Sequence, residues 1–215
     1  MSRGLSDSLT RTWDSMPNAG LVSNDPISQR RVTYSDYAAL DDGRRYQVLS
    51  GILVAEPAPT TLHQQVVANL FHVLRDHIDN HIDRMAGGIL LPSPVDVILD
   101  PEEQVEVLQP DIVWVRPERS AIVGMAAIFG VPDLVVEVLS PSNAMRDRSE
   151  KIPRYRRFGV PHVWILDPEM RLLEEMVLAG PGSYEETLLH RGRETVRPGC
   201  FPGLRFELAR VWPAL

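Results

Sequence analysis

The chain has one cysteine, Cys200, in 215 residues, so an intrachain disulfide is excluded. A reducing cytoplasm suits that usage, and a cytoplasmic location is expected. No stretch is long and apolar enough for a membrane span, so none is expected. The start, Met1-Ser2-Arg3-Gly4, runs into polar residues without the apolar core of a secretion signal. Glycine-rich phosphate loops and Gly-x-Ser-x-Gly elbows are absent, which argues against P-loop nucleotide hydrolases and α/β-hydrolases. There is no internal repeat and no low-complexity tract. Positive charge is also scarce: the net charge of −7 argues against a protein that coats nucleic acid, while leaving room for a local basic patch.

What is present is ordinary globular material, 44% hydrophobic and 24% charged. Residues 1–30, rich in Ser, Asn, Asp and Pro, read as a disordered or extended segment. Residues 31–215 read as one domain. Thr33 and Asp36 form a helix-start pair for a short helix over 34–40. Two short β-like runs, 45–49 and 52–56, flank the hairpin signal Ser50-Gly51. The clearest helix is predicted over 61–83, with Val66, Val67, Leu70, Val73, Leu74 and Ile78 on one face. Strands are expected at 89–91 and 95–99. The stretch around Glu102, Glu103 and Glu106 reads as a solvated loop or strand edge. Apolar strands follow at 112–115, 134–139 and 162–166, with a charged helix over about 149–158 between the last two. Strand, helix, strand in that order predicts a parallel βαβ unit. Further antiparallel strands (172–178, 185–189) and a short last helix complete an α/β chain.

The chemistry starts at Glu137. The run Asp133-Leu134-Val135-Val136-Glu137-Val138-Leu139 is apolar on both faces except at that carboxylate. An ionised carboxylate in such a strand is costly to desolvate, so it needs a metal ion, an arginine or a lysine. Asp111 stands at the mouth of another apolar strand, directly after Pro110, which holds its neighbour extended. Adjacent strands would bring the two carboxylates together, and a divalent ion would relieve their repulsion. Oxygen ligands with open positions suit Mg²⁺ or Mn²⁺.

Lys151 is the third piece. It lies in a segment holding Arg146, Arg148, Lys151, Arg154, Arg156 and Arg157 against Asp147 and Glu150. That excess of cations is where a DNA backbone would dock, although for most of the arginines a solvated helix face is the favoured reading. Tyr155, four residues on, shares the lysine's face. Pro153 is tolerable only if the helix starts near Ser149 or Glu150. His77 and His81 have a zinc-like spacing, but no third ligand accompanies them.

Several motifs taken together resemble one family. They are Gln109-Pro110-Asp111, the run from Pro132 to Ser142, Lys151-Ile152-Pro153-Arg154-Tyr155, and Gly159 to Pro168. Asp42-Gly43-Arg44-Arg45-Tyr46, Gly51 and His63-Gln64 add to them. Over about residues 31–212 the sequence is similar to the Uma-two family of restriction-endonuclease-like proteins, which carry a modified PD-(D/E)xK motif. The resemblance implies a mixed central β-sheet flanked by α-helices. It implies a metal-dependent DNA endonuclease that hydrolyses phosphodiester bonds, with Asp111 and Glu137 as metal ligands and Mg²⁺ or Mn²⁺ as cofactor. Position 139 is Leu, so the in-strand lysine of the parent motif is absent, and the resemblance implies that Lys151 replaces it from the helix.

The family usually has Glu after the tyrosine at position 46, and this chain has Gln47, which brings no charge. Supporting or substrate-binding roles are expected for Gln47, His63, Tyr155, Arg148 and Arg154. DNA is the expected partner, no membrane is expected, and a homodimer is expected by analogy alone. The other reading is a catalytically inactive nuclease fold that binds DNA or protein.

Overall fold

A computed structural model describes residues 31–80, 87–141, 144–180 and 183–213. The segment expected over 1–30, and His81, lie outside them. Helix α1 (Tyr34–Ala38) starts at Thr33, whose hydroxyl accepts from the Asp36 N–H while the Asp36 side chain accepts from Thr33. Strands β1 (Tyr46–Leu49) and β2 (Ile52–Ala55) pair antiparallel through the expected two-residue turn. Ser50 and Gly51 both adopt positive φ there, as the tightest hairpin turns require. Gly51 could not be replaced: an added Cβ would lie 2.7 Å from Cβ of Arg31.

Two sheets organise the remainder. The first has the order β2-β1-β5-β4-β7, with β4 (Asp96–Ile98), β5 (Val107–Leu108) and β7 (Ala127–Phe129). The second has the order β11-β10-β9-β8-β6-β3. Its strands are β3 (Ile89–Pro92), β6 (Ile112–Val115), β8 (Leu134–Val138), β9 (His162–Asp167), β10 (Leu172–Gly180) and β11 (Ser183–Arg191). β8 and β9 run parallel, as the βαβ reading requires, and the other pairs in this sheet are antiparallel. A small ribbon, β12 (Thr195–Val196) and β13 (Phe206–Glu207), closes the tail before the 3-10 turn Leu208–Arg210.

The period-two alternation of the central strands sorts their side chains between two cores. Ile112 and Trp114, Leu134, Val136 and Val138, and Trp164 and Leu166 face helix α2 (Thr61–Asn80) and the C-terminal residues Phe201, Phe206 and Val211. Val113 and Val115, Val135 and Leu139, and Val163 and Ile165 face the other way, onto Leu49, Val97, Leu108 and Tyr155. Each fully buried aliphatic side chain in these layers contributes about 1.5–3 kcal/mol. The same alternation puts Asp111 and Glu137 on the second face, in phase with Val113 and Val135.

The charged helix departs from expectation at its start. It begins at Ala144, as α3 (Ala144–Arg146), widens into a π-turn over Asp147–Lys151, and continues as α4 (Ile152–Phe158). Pro153 lacks the N–H that an α-turn would use, and its ring crowds the carbonyl four residues back. The wider turn just ahead, closed by the Ile152 N–H on the Asp147 carbonyl, accommodates it without the fresh start at Ser149 that the sequence suggested. Gly159 ends α4 at φ 78°. Glu106 is a second departure. It is 2% exposed rather than solvated, because Ser50 and Arg154 bind its carboxylate.

Candidate active site

Asp111 and Glu137 sit on neighbouring strands at the same end of the second sheet. The Asp111 N–H donates to the Val136 carbonyl at 2.9 Å, and the Val138 N–H donates to Asp111 Oδ2 at 2.7 Å. His63, in the first turn of α2, brings Nε2 to within 3.1 Å of the same oxygen. Burial works against charge on this imidazole, but Asp111 more than compensates, holding its pKa above the usual histidine range. Both contacts fall on Oδ2.

Glu137 is 1% exposed. Its Oε2 accepts from Lys151 Nζ at 2.9 Å, and its Oε1 accepts from the Tyr155 hydroxyl. Lys151 and Tyr155, four residues apart, therefore approach one carboxylate from one helix face. Burial pushes the Glu137 carboxyl upward, the Lys151 ammonium pulls it down, and the nearby Asp147 and Asp111 push it up again. Burial alone would discharge Lys151, but Glu137, Asp147, Asp111 and Glu56 hold it above its ordinary range. Tyr155 is raised well above the usual phenol range, by burial first and then by Glu137, so it stays a donor.

The sequence reading missed several residues here. Asp147, one turn before Lys151, is completely buried, with Oδ1 at 3.1 Å from Lys151 Nζ and no hydrogen-bond partner for Oδ2. Its spacing of four from Lys151 was the available signal. Glu56, just past β2, meets Arg146 Nη2 at 2.7 Å and accepts from Gln47 Nε2 at 2.6 Å, both on Oε1. Gln47 also accepts from the Gln109 N–H at 3.1 Å, so both ends of its amide are used. Arg45 completes the wall, its Nη2 donating to Ser93 Oγ and to Gln109 Oε1, each at 3.2 Å. No sequence signal marks Glu56, and Arg45 stood within a family motif with no role attached, since the part each plays depends on how the first sheet meets the second.

These groups surround a pocket of about 70 Å³, walled by Arg45, Glu56, His63, Asp111, Glu137 and Lys151. Arg148 and Arg154 do not line it. Arg148 forks onto Glu174, and Arg154 pairs with Glu106 at 2.9 Å. Arg146 is taken by Glu56, so three of the arginines read as a docking patch carry carboxylate partners.

The donor chemistry fits a hard divalent cation. Beside burial, Asp147 and Asp111 raise the proton affinity of Glu137, Asp111 raises that of Asp147, and Lys151 is the ammonium set among them. A dication answers that excess of negative charge, and carboxylate oxygens are the ligands it prefers. Among the described residues no three of His, Cys, Asp or Glu are arranged to hold an ion by themselves. The fit is therefore to an ion that takes two protein carboxylates and completes its shell with water or phosphate oxygens, as Mg²⁺ commonly does.

The Uma2 family model, described as "Putative restriction endonuclease", matches residues 33–209. Among solved structures, the chain is similar to a protein from Anabaena variabilis ATCC 29413 described as a "putative nuclease belonging to DUF820". That likeness has a TM-score of 0.65 at 16% identity and covers 84% of this chain and 97% of the other. Its low identity speaks to the fold, and the fold agrees: a mixed sheet with helices. Among curated proteins none matches. No helix among the described residues is long and apolar enough to cross a membrane.

Proposed function

Because the chain belongs to the Uma2 family, whose model is described as "Putative restriction endonuclease", we propose that it is a metal-dependent endonuclease that hydrolyses DNA phosphodiester bonds. The observation that carries this reading is the convergence of two strand-borne carboxylates, Asp111 and Glu137, with the helix-borne ammonium of Lys151 at one pocket. Divalent ions are the general cofactors of restriction-endonuclease-like proteins. Residues 31–215 act in this reading as one folded unit.

Asp111 and Glu137 would hold Mg²⁺ or Mn²⁺, which supplies Lewis-acid stabilisation of charge on the phosphate. His63 and the Val138 N–H bind Asp111 Oδ2 and orient the carboxylate. Tyr155 does the same for Glu137 through Oε1. The Lys151 ammonium orients the attacking water and donates to a non-bridging phosphate oxygen as charge grows there. Water oxygen bonds to phosphorus in line with the departing ester oxygen as that P–O bond breaks; the attacking water gives up one proton to solvent and the leaving oxygen takes one up. At about 70 Å³ the pocket has room for roughly two water molecules, so it suits a phosphate group and not a duplex.

One observation favours the alternative, a non-catalytic nuclease fold that binds DNA or protein: both Glu137 oxygens already carry protein donors. The test is supercoiled plasmid incubated with purified protein and Mg²⁺ or Mn²⁺. The endonuclease reading expects nicking that is lost in Lys151→Met and Glu137→Gln and abolished by EDTA. Intact plasmid under every metal, with retarded DNA in a gel shift, gives the alternative.

A further inference from the structure

Beside the pocket just described lies a larger hollow of about 320 Å³, walled by Leu91, Val95, Asp96, Val123 and Ile128. The two share Pro94 and Gln109. Gln109 also ties them together chemically. Its Oε1 accepts from Arg45, and its Nε2 donates to Asp96 Oδ1 at 2.8 Å and to the Tyr37 hydroxyl at 3.1 Å. The Tyr37 hydroxyl donates to the same Asp96 oxygen at 3.2 Å. Both contacts on Asp96 therefore fall on Oδ1, and both on Arg45 fall on Nη2. Asp96 Oδ2 and the Nε–Nη1 edge of Arg45 take no part in them.

We propose that this hollow is the base half of a nucleotide subsite: Arg45, on the wall of the adjoining pocket, takes a phosphate next to the one cleaved, and Asp96 in the hollow reads the amino edge of the attached base, cytosine before thymine. The inference rests on the phosphodiester reading of the adjoining pocket and adds what lies next to the scissile group. Continuity supports it, since Gln109 lines both the pocket of Asp111 and Lys151 and the hollow. The size falls in the several-hundred Å³ range of small-ligand pockets. Leu91, Val95, Val123 and Ile128 are among its lining residues, apolar side chains of the kind that flank a base's faces. A planar guanidinium edge matches phosphate oxygens. A carboxylate accepts from the cytosine amino group but meets a repelling carbonyl on thymine. The same carboxylate repels phosphate, so the backbone must pass on the Arg45 side and the base on the Asp96 side.

The test is an NMR titration of the full chain with dCMP, dTMP and inorganic phosphate, which needs no cleavage. dCMP is expected to bind about tenfold more tightly than dTMP, and both nucleotides more tightly than phosphate. Arg45→Ala should weaken all three. Asp96→Asn should erase the difference between dCMP and dTMP. Because Asp96 also anchors Tyr37 and Gln109, Ala126→Trp is a second probe: Ala126 is an exposed wall residue, and the indole should fill the hollow. That variant should weaken both nucleotides and leave phosphate unchanged. Equal binding of dCMP and dTMP, or discrimination that survives Asp96→Asn, overturns the subsite. An uncut plasmid with intact nucleotide discrimination would instead remove the endonuclease reading and leave the subsite standing.

Discussion

Gln47 donates its side-chain amide to Glu56 Oε1 at 2.6 Å, so the residue that brings no charge to the site holds one that does. Glu56 lines the pocket with Asp111 and Glu137, and Gln47 does not. The family usually has Glu at this position. The hydrogen bond does not favour that charge here: a carboxylate at 47 would face Glu56 with no proton between them.

Gln47→Glu is therefore expected to lower stability by about 1–3 kcal/mol, through a lost hydrogen bond and like charges at short range. Combining it with Glu56→Gln should restore most of that loss, because the donor and acceptor are then exchanged. Denaturant unfolding of the wild type, both single variants and the double variant measures it. No recovery in the double variant would show that the two side chains are not coupled.

Lys151→Ala removes the ammonium shared by Glu137 and Asp147, and all three groups are buried. Stripping one partner from a buried ion pair costs about 3–5 kcal/mol. Glu137→Gln added to Lys151→Met should cost less than Lys151→Ala alone, because less unpaired charge stays inside. Thermal unfolding separates the cases, and a Lys151→Ala midpoint close to wild type would contradict the burial of this pair.

Tyr155→Phe removes only the hydroxyl bound to Glu137 while keeping the ring that packs among Val135, Val163 and Ile165. The expected loss is about 1–3 kcal/mol, the cost of leaving a buried acceptor without its donor. Plasmid nicking should fall with it, since Glu137 loses its orientation. An unchanged cleavage rate in a stable Tyr155→Phe protein would remove Tyr155 from the supporting set.

Mn²⁺ should raise the unfolding midpoint of the wild type in a concentration-dependent way, because only the folded chain brings Asp111 and Glu137 together. Asp111→Asn should abolish that shift, and EDTA should reverse it in the wild type. Differential scanning calorimetry reads the effect without any substrate.

His162 opens β9, and burial first and Arg116 second lower its pKa below the usual histidine value of 6.5. The unfolded chain therefore binds this proton more readily than the folded one. Stability should fall as pH drops below about 6.5, and that part of the slope should vanish in His162→Gln. Denaturant midpoints between pH 7.5 and 5 measure the difference between the two proteins. Parallel slopes would show that another group is responsible.

Much of this protein was legible before folding. Alternation of apolar side chains marked β6, β8 and β9, and the order strand, helix, strand required the parallel β8–β9 pair. Glu137 stood out because a lone acid in an apolar strand demands a partner, and Asp111, at the mouth of another such strand, drew notice only beside it. The spacing of four between Lys151 and Tyr155 put both on one helix face. These are local properties, carried by the two periodicities of the backbone and by the cost of burying charge. What the tertiary structure alone decided is non-local. Periodicity says which side chains share a face but not what covers it, so the entry of Glu56 and Arg45 from the β1–β2 hairpin had no signature. A charge in a sequence does not name its counter-ion. Arg146, Arg148 and Arg154 read as a solvated face or a place for phosphate, and folding instead gave each a carboxylate from a distant segment, Glu56, Glu174 and Glu106. The same folding buried Asp147, which only its spacing of four from Lys151 distinguished from a solvated acid.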